Sequence, residues 1–207
     1  MRTDTVGNRG VVINGESGGE YTLSRNSMGK IAQRWTNNHV TLCTERNDNM
    51  LNDFVRTPME ITEALMKYEK FNGGILEPCC GDGAISKVLE REYDVVSMDK
   101  YQYGFGGQRD LFDITEHYDN IVTNPPFTQQ QLVKKHLLSI TKRKLALLWY
   151  VKNLGNEVET KTSKNLKTVY VFNKRINWVE TKLGWLFAWY IWDKDYEGDI
   201  TIKRIDL

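Results

Sequence analysis

Short apolar runs alternate with amphipathic segments from residue 54 onward, and this alternation predicts strands separated by helices. The apolar runs predict seven strands, at residues 74–76, 94–98, 118–123, 145–151, 169–179, 185–192 and 200–205. Helical spacing of apolar residues predicts helices at residues 61–68, 86–92 and 132–140. We therefore expect an α/β fold with a doubly wound, mostly parallel seven-stranded sheet whose last strand is antiparallel.

The first fifty residues carry a weaker pattern than the rest of the chain. They are rich in Gly, Asn, Ser and Thr, and only a short piece at residues 11–13 resembles a strand. We expect residues 1–50 to form a flexible or loosely packed N-terminal arm, followed by one domain over residues 51–207.

A Gly-x-Gly turn joins the first predicted strand of this domain to a helix, within residues 76–86. Gly81 and Gly83 have no side chains, so the backbone there can come close to a ligand and adopt a positive φ. The N–H groups of the following helix would face the same place. Glu77 makes the end of the strand anionic. This argues against a plain phosphate site and favours a ligand that carries cations or hydroxyls.

A second motif, Asn124-Pro125-Pro126-Phe127, directly follows the predicted strand at residues 118–123. Two consecutive prolines do not continue a central strand or lie deep inside a helix. The motif therefore predicts a rigid, extended loop at the carboxyl end of a strand, where open α/β sheets bind their ligands. The loop presents the Asn124 and Phe127 side chains and the Pro125 carbonyl.

Acidic residues follow further strands at the same predicted edge of the sheet. Asp99 ends the second strand, about 20 residues beyond the first, where a carboxylate can accept both hydroxyls of a ribose. Tyr101 or Tyr103 could stack on an adenine ring. Asp110 follows a Gly-rich turn, at the start of another apolar segment.

Taken together, Glu-Pro-x-x-Gly-x-Gly at residues 77–83 and Asn-Pro-Pro-Phe at residues 124–127 resemble the S-adenosylmethionine-dependent amino-methyltransferases. The chain is most similar to small adenine-N6 DNA methyltransferases of the bacteriophage type, and residues 173–178 and 188–194 resemble their late strands. The resemblance implies a Rossmann-like class I methyltransferase with S-adenosyl-L-methionine as cofactor. It also implies site-specific methylation of adenine N6 in DNA, as in restriction–modification systems.

The resemblance assigns roles to individual residues. Catalytic roles fall on Asn124, Pro125, Pro126 and Phe127. Cofactor-binding roles fall on Thr57, Pro58, Glu77, Pro78, Gly81, Asp82, Gly83, Asp99 and Asp110. Asp110 would bind the amino group of the cofactor adenine. Thr57 and Pro58 also have the sequence of a helix N-cap followed by proline at the first helical position. An Asn at the first position of the Pro-Pro motif favours adenine over cytosine N4.

The formal net charge of +1 conceals a basic stretch at residues 120–183. This stretch has twelve Lys and Arg against three acidic residues, a net of +9, so the remainder carries −8. Such an excess is often a solvated face, but its position after the Pro-Pro loop favours a track for a polyanion. We expect contacts to DNA, or to RNA, from Lys134, Lys135, Lys161 and Lys164.

Other features exclude several classes of protein. Three cysteines, two of them adjacent at Cys79 and Cys80, have no zinc-site spacing, so we expect packing roles and no metal. No apolar run approaches the roughly 18–20 residues of a membrane helix. The N-terminal residues also lack the layout of a signal peptide. We expect a monomer or weak dimer without a membrane partner, in the cytoplasm, or in the host cell cytoplasm if the protein is phage-encoded.

Three alternatives stay open at this point. A methyltransferase acting on RNA adenine is one, because a basic stretch does not distinguish RNA from DNA. A protein-glutamine methyltransferase is another, although these usually carry a helical domain in front and residues 1–50 are short and Gly-rich. The third is a non-catalytic nucleic-acid-binding protein that kept the fold. We also expect no long C-terminal target-recognition domain, so sequence readout would come from a loop at residues 155–166 or from the arm, or else sequence specificity would be weak.

Overall fold

The computed structural model describes residues 11–14, 20–25, 31–35, 54–127, 129–155, 164–176 and 186–207. The chain divides into two compact units, residues 1–47 and residues 48–207. In the first unit, β1 (Val11–Asn14), β2 (Glu20–Arg25) and β3 (Ile31–Trp35) form an antiparallel sheet in the order β1-β2-β3. The predicted strand-like piece at residues 11–13 lies in β1. The boundary and the flexible character expected for residues 1–50 stay predictions.

The second unit is built on an eight-stranded mixed sheet. Its strands are β4 (Ile75–Glu77), β5 (Val95–Asp99), β6 (Gly107–Gln108), β7 (Tyr118–Thr123), β8 (Thr141–Tyr150), β9 (Leu166–Phe172), β10 (Phe187–Asp193) and β11 (Thr201–Ile205). Their spatial order is β11-β9-β10-β8-β7-β4-β5-β6. Every neighbouring pair is parallel except those of β10, which is antiparallel to both β8 and β9.

Among the described residues, three helices accompany the sheet. They are α1 (Met59–Tyr68), α2 (Ser86–Leu89) and α3 (Gln130–Ile140), and single 3₁₀ turns occur at Leu111–Asp113 and Val151–Gly155. Within the ranges that the structure describes, no helix has both the length and the apolar character needed to cross a membrane.

The observed sheet differs from the expected one in two details. It has eight strands rather than seven, because the edge strand β6 has only two residues, Gly107 and Gln108, and gives no apolar run. The antiparallel strand is β10 rather than the last strand, since β10 is inserted between β8 and β9 and β11 pairs in parallel with β9. The strand expected at residues 169–179 corresponds to β9 at residues 166–172, and residues 177–179 lie outside the described residues.

The sheet is covered on both faces, as expected for a doubly wound fold. Alternate residues of β8 enter two separate apolar clusters because successive side chains of a strand point to opposite faces. Ala146 and Leu148 lie in the cluster that contains α1 and α2 residues. Leu145, Leu147 and Trp149 lie in the cluster that contains α3 residues. All five residues are at most 1% exposed, which explains the continuous apolar run in the sequence.

Helix α1 packs against the sheet and runs from the carboxyl edge of the sheet to the amino edge of the sheet. Near the start of α1, the Trp189 indole N–H donates to the Ile61 carbonyl at 3.0 Å. At the far end, the buried carboxylate of Glu69 accepts from Lys144 Nζ and from the Tyr170 hydroxyl, the latter at 2.9 Å. These contacts fix the position of the segment that enters α1.

The start of α1 differs from the sequence expectation. Pro58 occupies the N-cap position, the helix begins at Met59, and no side chain caps it. The prediction that Thr57 caps this helix is therefore wrong. The buried Thr57 hydroxyl instead accepts a hydrogen bond from the Asn124 side chain, at 3.1 Å.

Candidate active site

One cavity of about 310 Å³ opens at the carboxyl ends of β4, β5 and β7. It is lined by the segment before α1, the turn after β4, the ends of β5 and β7, and the loop after β7. The cavity brings together most residues that the sequence analysis singled out: Thr57, Glu77, Pro78, Asp82, Asp99, Asp110, Asn124, Pro125, Pro126 and Phe127.

The glycine turn is shaped by aromatic rings of the protein itself. Gly81 and Gly83 have φ of +54° and +82°, as the sequence predicted. A Cβ added at Gly81 would lie 2.2 Å from the Phe54 ring, and one at Gly83 would lie 2.5 Å from the Phe105 ring. The space that the glycines leave is thus filled by side chains. Helix α2 has only four residues, whereas the sequence predicted a helix over residues 86–92. It therefore provides fewer helical N–H groups near the turn than expected.

Glu77 ends β4 as a buried acid at the base of the cavity, with 1% of its surface exposed. Its carboxylate accepts from the Ser86 hydroxyl, which in turn accepts from the Ser97 hydroxyl at 2.7 Å. Burial raises the pKa of Glu77 to about 8, although the Ser86 hydrogen bond works in the opposite direction. The raised pKa favours the protonated form of Glu77, and a cation bound beside the carboxyl group would favour its ionised form.

This raised pKa predicts how stability depends on pH. The pKa is about 8 in the folded protein against 4.5 for an ordinary Glu, so the folded state holds the proton longer as pH rises. Stability contributed by the protonated Glu77 is complete below about pH 4.5 and is lost by about pH 8. Glu77→Gln keeps an acceptor for Ser86 but does not titrate. We expect this variant to gain stability relative to the wild type as pH rises through that interval.

Urea unfolding at several pH values, without cofactor, measures this effect. The exposed Glu90→Gln serves as the control for removing a carboxylate outside the cavity. An unfolding free-energy difference between wild type and Glu77→Gln that stays constant from about pH 4.5 to about pH 8 contradicts the assignment.

Asp99 connects the end of β5 to the glycine turn. One carboxylate oxygen accepts from the Tyr101 N–H and the other from the Gly81 N–H, both at 2.9 Å. An ionised carboxylate offers about four lone-pair sites, so two acceptor positions remain for a ligand. Asp82 lies nearby, and one of its oxygens pairs with Arg56 Nε at 2.7 Å. Its other oxygen is buried and has no hydrogen-bond partner among the described residues.

Asp110 also lines the cavity and already has two protein partners. One oxygen accepts from the Phe112 N–H at 3.0 Å, and the other pairs with Lys100 Nζ at 2.9 Å. Partial burial opposes ionisation, but these two donors hold the pKa of Asp110 below its usual value. Of the two tyrosines expected to stack on a ligand, Tyr103 stacks on Phe54 at a ring distance of 4.4 Å, and Tyr101 is exposed.

The Asn-Pro-Pro-Phe loop presents a buried acceptor to the cavity. Asn124 Nδ2 donates to Thr57, while Asn124 Oδ1 is buried and has no hydrogen-bond partner in the described part of the chain. Pro125 is buried. The Phe127 ring packs against Tyr150 and Phe187, with centroid distances of 4.8 and 5.6 Å. An unpaired buried acceptor is costly, so this oxygen is available to a hydrogen-bond donor that enters the cavity.

The lysines expected to contact nucleic acid differ in their positions. Lys134 is only 6% exposed, and its Nζ lies 5.9 Å from the centroid of the Trp149 ring. The expected surface contact at Lys134 is therefore wrong, because this residue lies on the inward side of α3. Lys135 and Lys164 are exposed, as expected, whereas Lys161 lies outside the described residues. His136 Nε2 lies 2.8 Å from the Leu111 carbonyl oxygen.

Sequence reasoning missed three residues of the site: Phe54, Arg56 and Ser86. Phe54 and Arg56 stand directly before Thr57-Pro58, so their place in the chain was a usable signal. Their contacts to Gly81 and Asp82 join residues far apart in sequence, and no local pattern reports such contacts.

The described residues contain no group of three or more His, Cys, Asp or Glu that could hold a metal ion. Cys79 and Cys80 are free thiols beside the glycine turn. Burial raises the pKa of Cys80 to about 12 and raises that of Cys79 as well, which makes both thiols poor nucleophiles.

Comparison with known proteins finds similarity in structure but not in sequence. No protein-family model matches the chain, and no curated protein matches it. A Pyrococcus horikoshii protein named as a candidate RNA methyltransferase is similar with a TM-score of 0.57 and 14% identity, over 74% of this chain and 92% of that one. The M protein of the type I restriction enzyme EcoKI gives a TM-score of 0.51 and 13% identity, over 70% and 45%.

A methyltransferase complex from E. cuniculi, responsible for methylation of a translation termination factor, gives a TM-score of 0.50 and 19% identity, over 69% of this chain and 99% of that one. The chain spans 62% of the length of a Listeria monocytogenes class I methyltransferase candidate that it also matches. At such identities the similarity describes the fold alone. It confirms the fold class expected from the sequence. The chain therefore has the Rossmann-like fold of class I S-adenosylmethionine-dependent methyltransferases.

Proposed function

We propose that this protein transfers a methyl group from S-adenosyl-L-methionine to the N6 amino group of adenine in DNA. One observation carries the proposal. The buried, unpartnered Asn124 Oδ1 shares a single cavity with the acidic residues Glu77 and Asp99. Such a reaction needs a hydrogen-bond acceptor for the substrate amine. It also needs acceptors for a cofactor that carries positive charge and hydroxyl groups.

The residues of the cavity fit this cofactor. S-adenosyl-L-methionine carries an ammonium group, a sulfonium group and two ribose hydroxyls. Glu77 would lose its proton beside a cation, and the two free acceptor positions of Asp99 suit the hydroxyls. Asp110, which already pairs with Lys100, would also bind the amino group of the cofactor adenine. When bound, the cofactor supplies an electrophilic methyl group.

The Asn-Pro-Pro-Phe loop would activate the acceptor amine. An exocyclic adenine amine is a poor nucleophile because its lone pair is delocalised into the ring. Asn124 Oδ1 and the Pro125 carbonyl would accept its two hydrogens and favour a pyramidal nitrogen. The cofactor would supply the methyl group, and the electron pair of its C–S bond would stay on sulfur while Asn124 and Pro125 hold the amine. The extra proton leaves the amine to water after transfer, so alignment rather than a strong base provides most of the catalysis.

Two features support a nucleic acid as substrate. The Phe127 ring lies beside Asn124 in the cavity lining and offers an aromatic surface for a base taken out of its helix. The basic stretch at residues 120–183 contributes exposed cations, among them Lys135 and Lys164. A duplex substrate would have to flip its adenine, because the amino group is not accessible within the base stack.

Nucleoside mass spectrometry tests the proposal. The protein is incubated with S-adenosylmethionine carrying a deuterated methyl group and with unmethylated DNA, and in parallel with RNA, before digestion. We expect labelled N6-methyladenine from DNA. Label found only in RNA, or only in N4-methylcytosine, contradicts DNA adenine as the substrate. No label in either sample, with the cofactor still bound, contradicts nucleic-acid methylation and favours a protein substrate or a non-catalytic binding protein.

A further inference from the structure

The segment directly before α1 contacts both the glycine turn and the Asn-Pro-Pro-Phe loop. The Phe54 ring covers Gly81, and Arg56 pairs with Asp82. One residue further along, Thr57 Oγ1 accepts from Asn124 Nδ2 at 3.1 Å. The same short segment therefore reaches from the acidic part of the cavity to the loop that would receive the methyl acceptor.

The bond between Thr57 and Asn124 fixes the orientation of a planar group. A side-chain amide has its oxygen and its nitrogen on opposite sides, so a bond to Nδ2 determines where Oδ1 points. In this structure Oδ1 is the atom left buried and unpartnered among the described residues. Rotation of the amide by half a turn would instead present an N–H₂ donor. A donor cannot accept the hydrogens of an incoming amine.

From this geometry we propose that Thr57 is a positioning residue, which acts by holding the Asn124 amide with Oδ1 toward the methyl acceptor. The inference rests on the proposed function, and it gives Thr57 a task beyond the cofactor contact that the sequence implied. In this structure the Thr57 hydroxyl accepts from Asn124 Nδ2, and this is the contact that holds the amide in the orientation described.

The surroundings of Thr57 suit a positioning role. The residue is 6% exposed, so water does not readily replace its hydroxyl. It precedes the rigidly anchored start of α1, where Trp189 bonds to the Ile61 carbonyl. It does not cap the helix, since Pro58 occupies the N-cap and no side-chain capping bond is present there. A group that aims a reactive amide needs this kind of fixed support.

Kinetics of Thr57→Val and Thr57→Ser test the proposal. Valine keeps the branched shape but removes the hydroxyl, whereas serine keeps the hydroxyl. For Thr57→Val we expect kcat to fall about 10- to 100-fold, as for a misaligned catalytic group, with KM for the methyl acceptor unchanged. Thr57→Ser should stay near the wild type. An unchanged kcat in Thr57→Val overturns the proposal, as does a loss confined to KM or an equal loss in Thr57→Ser.

An NMR measurement on the protein without cofactor separates this proposal from the proposed function. The Asn124 side-chain N–H₂ signals are assigned as the pair that Asn124→Ala lacks. We expect slow hydrogen exchange of this pair in the wild type and in Thr57→Ser, and faster exchange with shifted signals in Thr57→Val. Equal exchange in all three proteins overturns the positioning role even if methylation is confirmed. Thr57→Ala provides a second test, with the same expected loss, if Thr57→Val does not fold.

Discussion

Asn124→Ala is expected to lower kcat for methyl transfer about 100- to 1000-fold, the range seen when one preorganised polar partner of a transition state is removed. The reason is that Asn124 Oδ1 would accept a hydrogen of the amine as positive charge develops on nitrogen. Alanine leaves no acceptor in this buried position. Asn124 belongs to the loop after β7 and is not among the residues assigned to the cofactor, so the affinity for the cofactor should stay unchanged.

Single-turnover methyl transfer and calorimetric cofactor titration measure the two quantities separately. Asn173→Ala is a suitable control, because Asn173 is exposed and pairs with Asp206 instead of facing the cavity. If Asn124→Ala transfers methyl groups at the wild-type rate, the loop is only a rigid turn and the catalytic role is wrong. If it loses cofactor binding instead, Asn124 belongs to the cofactor site.

Asp99→Asn is expected to weaken cofactor binding about 100-fold or more, because two hydrogen bonds to a charged acceptor are replaced by weaker ones. The substitution also introduces an N–H₂ donor into a position where both oxygens now accept from backbone N–H groups, of Gly81 and Tyr101. One of these donors then faces another donor. We expect the free energy of unfolding to fall by about 1–3 kcal/mol, the cost of an unsatisfied buried donor.

Calorimetric titration with S-adenosylmethionine measures the cofactor affinity. Urea unfolding of the protein without cofactor measures the free energy of unfolding. Asp94→Asn is the matched control, since Asp94 is exposed just before the amino end of the same strand and does not line the cavity. Full cofactor affinity in Asp99→Asn means that the ribose hydroxyls bind elsewhere. Unchanged stability means that the two backbone contacts do not constrain the turn.

The strands of the central sheet could be predicted because burial on both faces leaves a clear mark in the sequence. The continuous apolar runs of β8 and β10 were located within a few residues. The two-residue strand β6 could not be found, since Gly107 and Gln108 have no apolar pattern. The direction of β10 was also not predictable locally, because it depends on where the strand is inserted between its neighbours.

The candidate site could be predicted in its parts but not in its contacts. Asp99 and Asn124 end strands of one sheet, so their common edge follows from topology. That Asn124 bonds to Thr57 depends on packing between residues 67 positions apart. Lys134 was misplaced because its charge suggested the surface. Its spacing from Val133 and Leu137 puts it on the inward side of α3, where a long side chain packs along its stem.

A structure determined in complex with S-adenosylmethionine tests the central claim most directly, which is that one cavity aligns the cofactor methyl group with the Asn124 acceptor. The account predicts the ammonium group beside Glu77, the ribose at Asp99, and the sulfonium methyl facing Asn124 Oδ1. A cofactor bound outside this cavity contradicts it. So does a methyl group directed away from Asn124, or an Asn124 amide rotated to present its N–H₂ group.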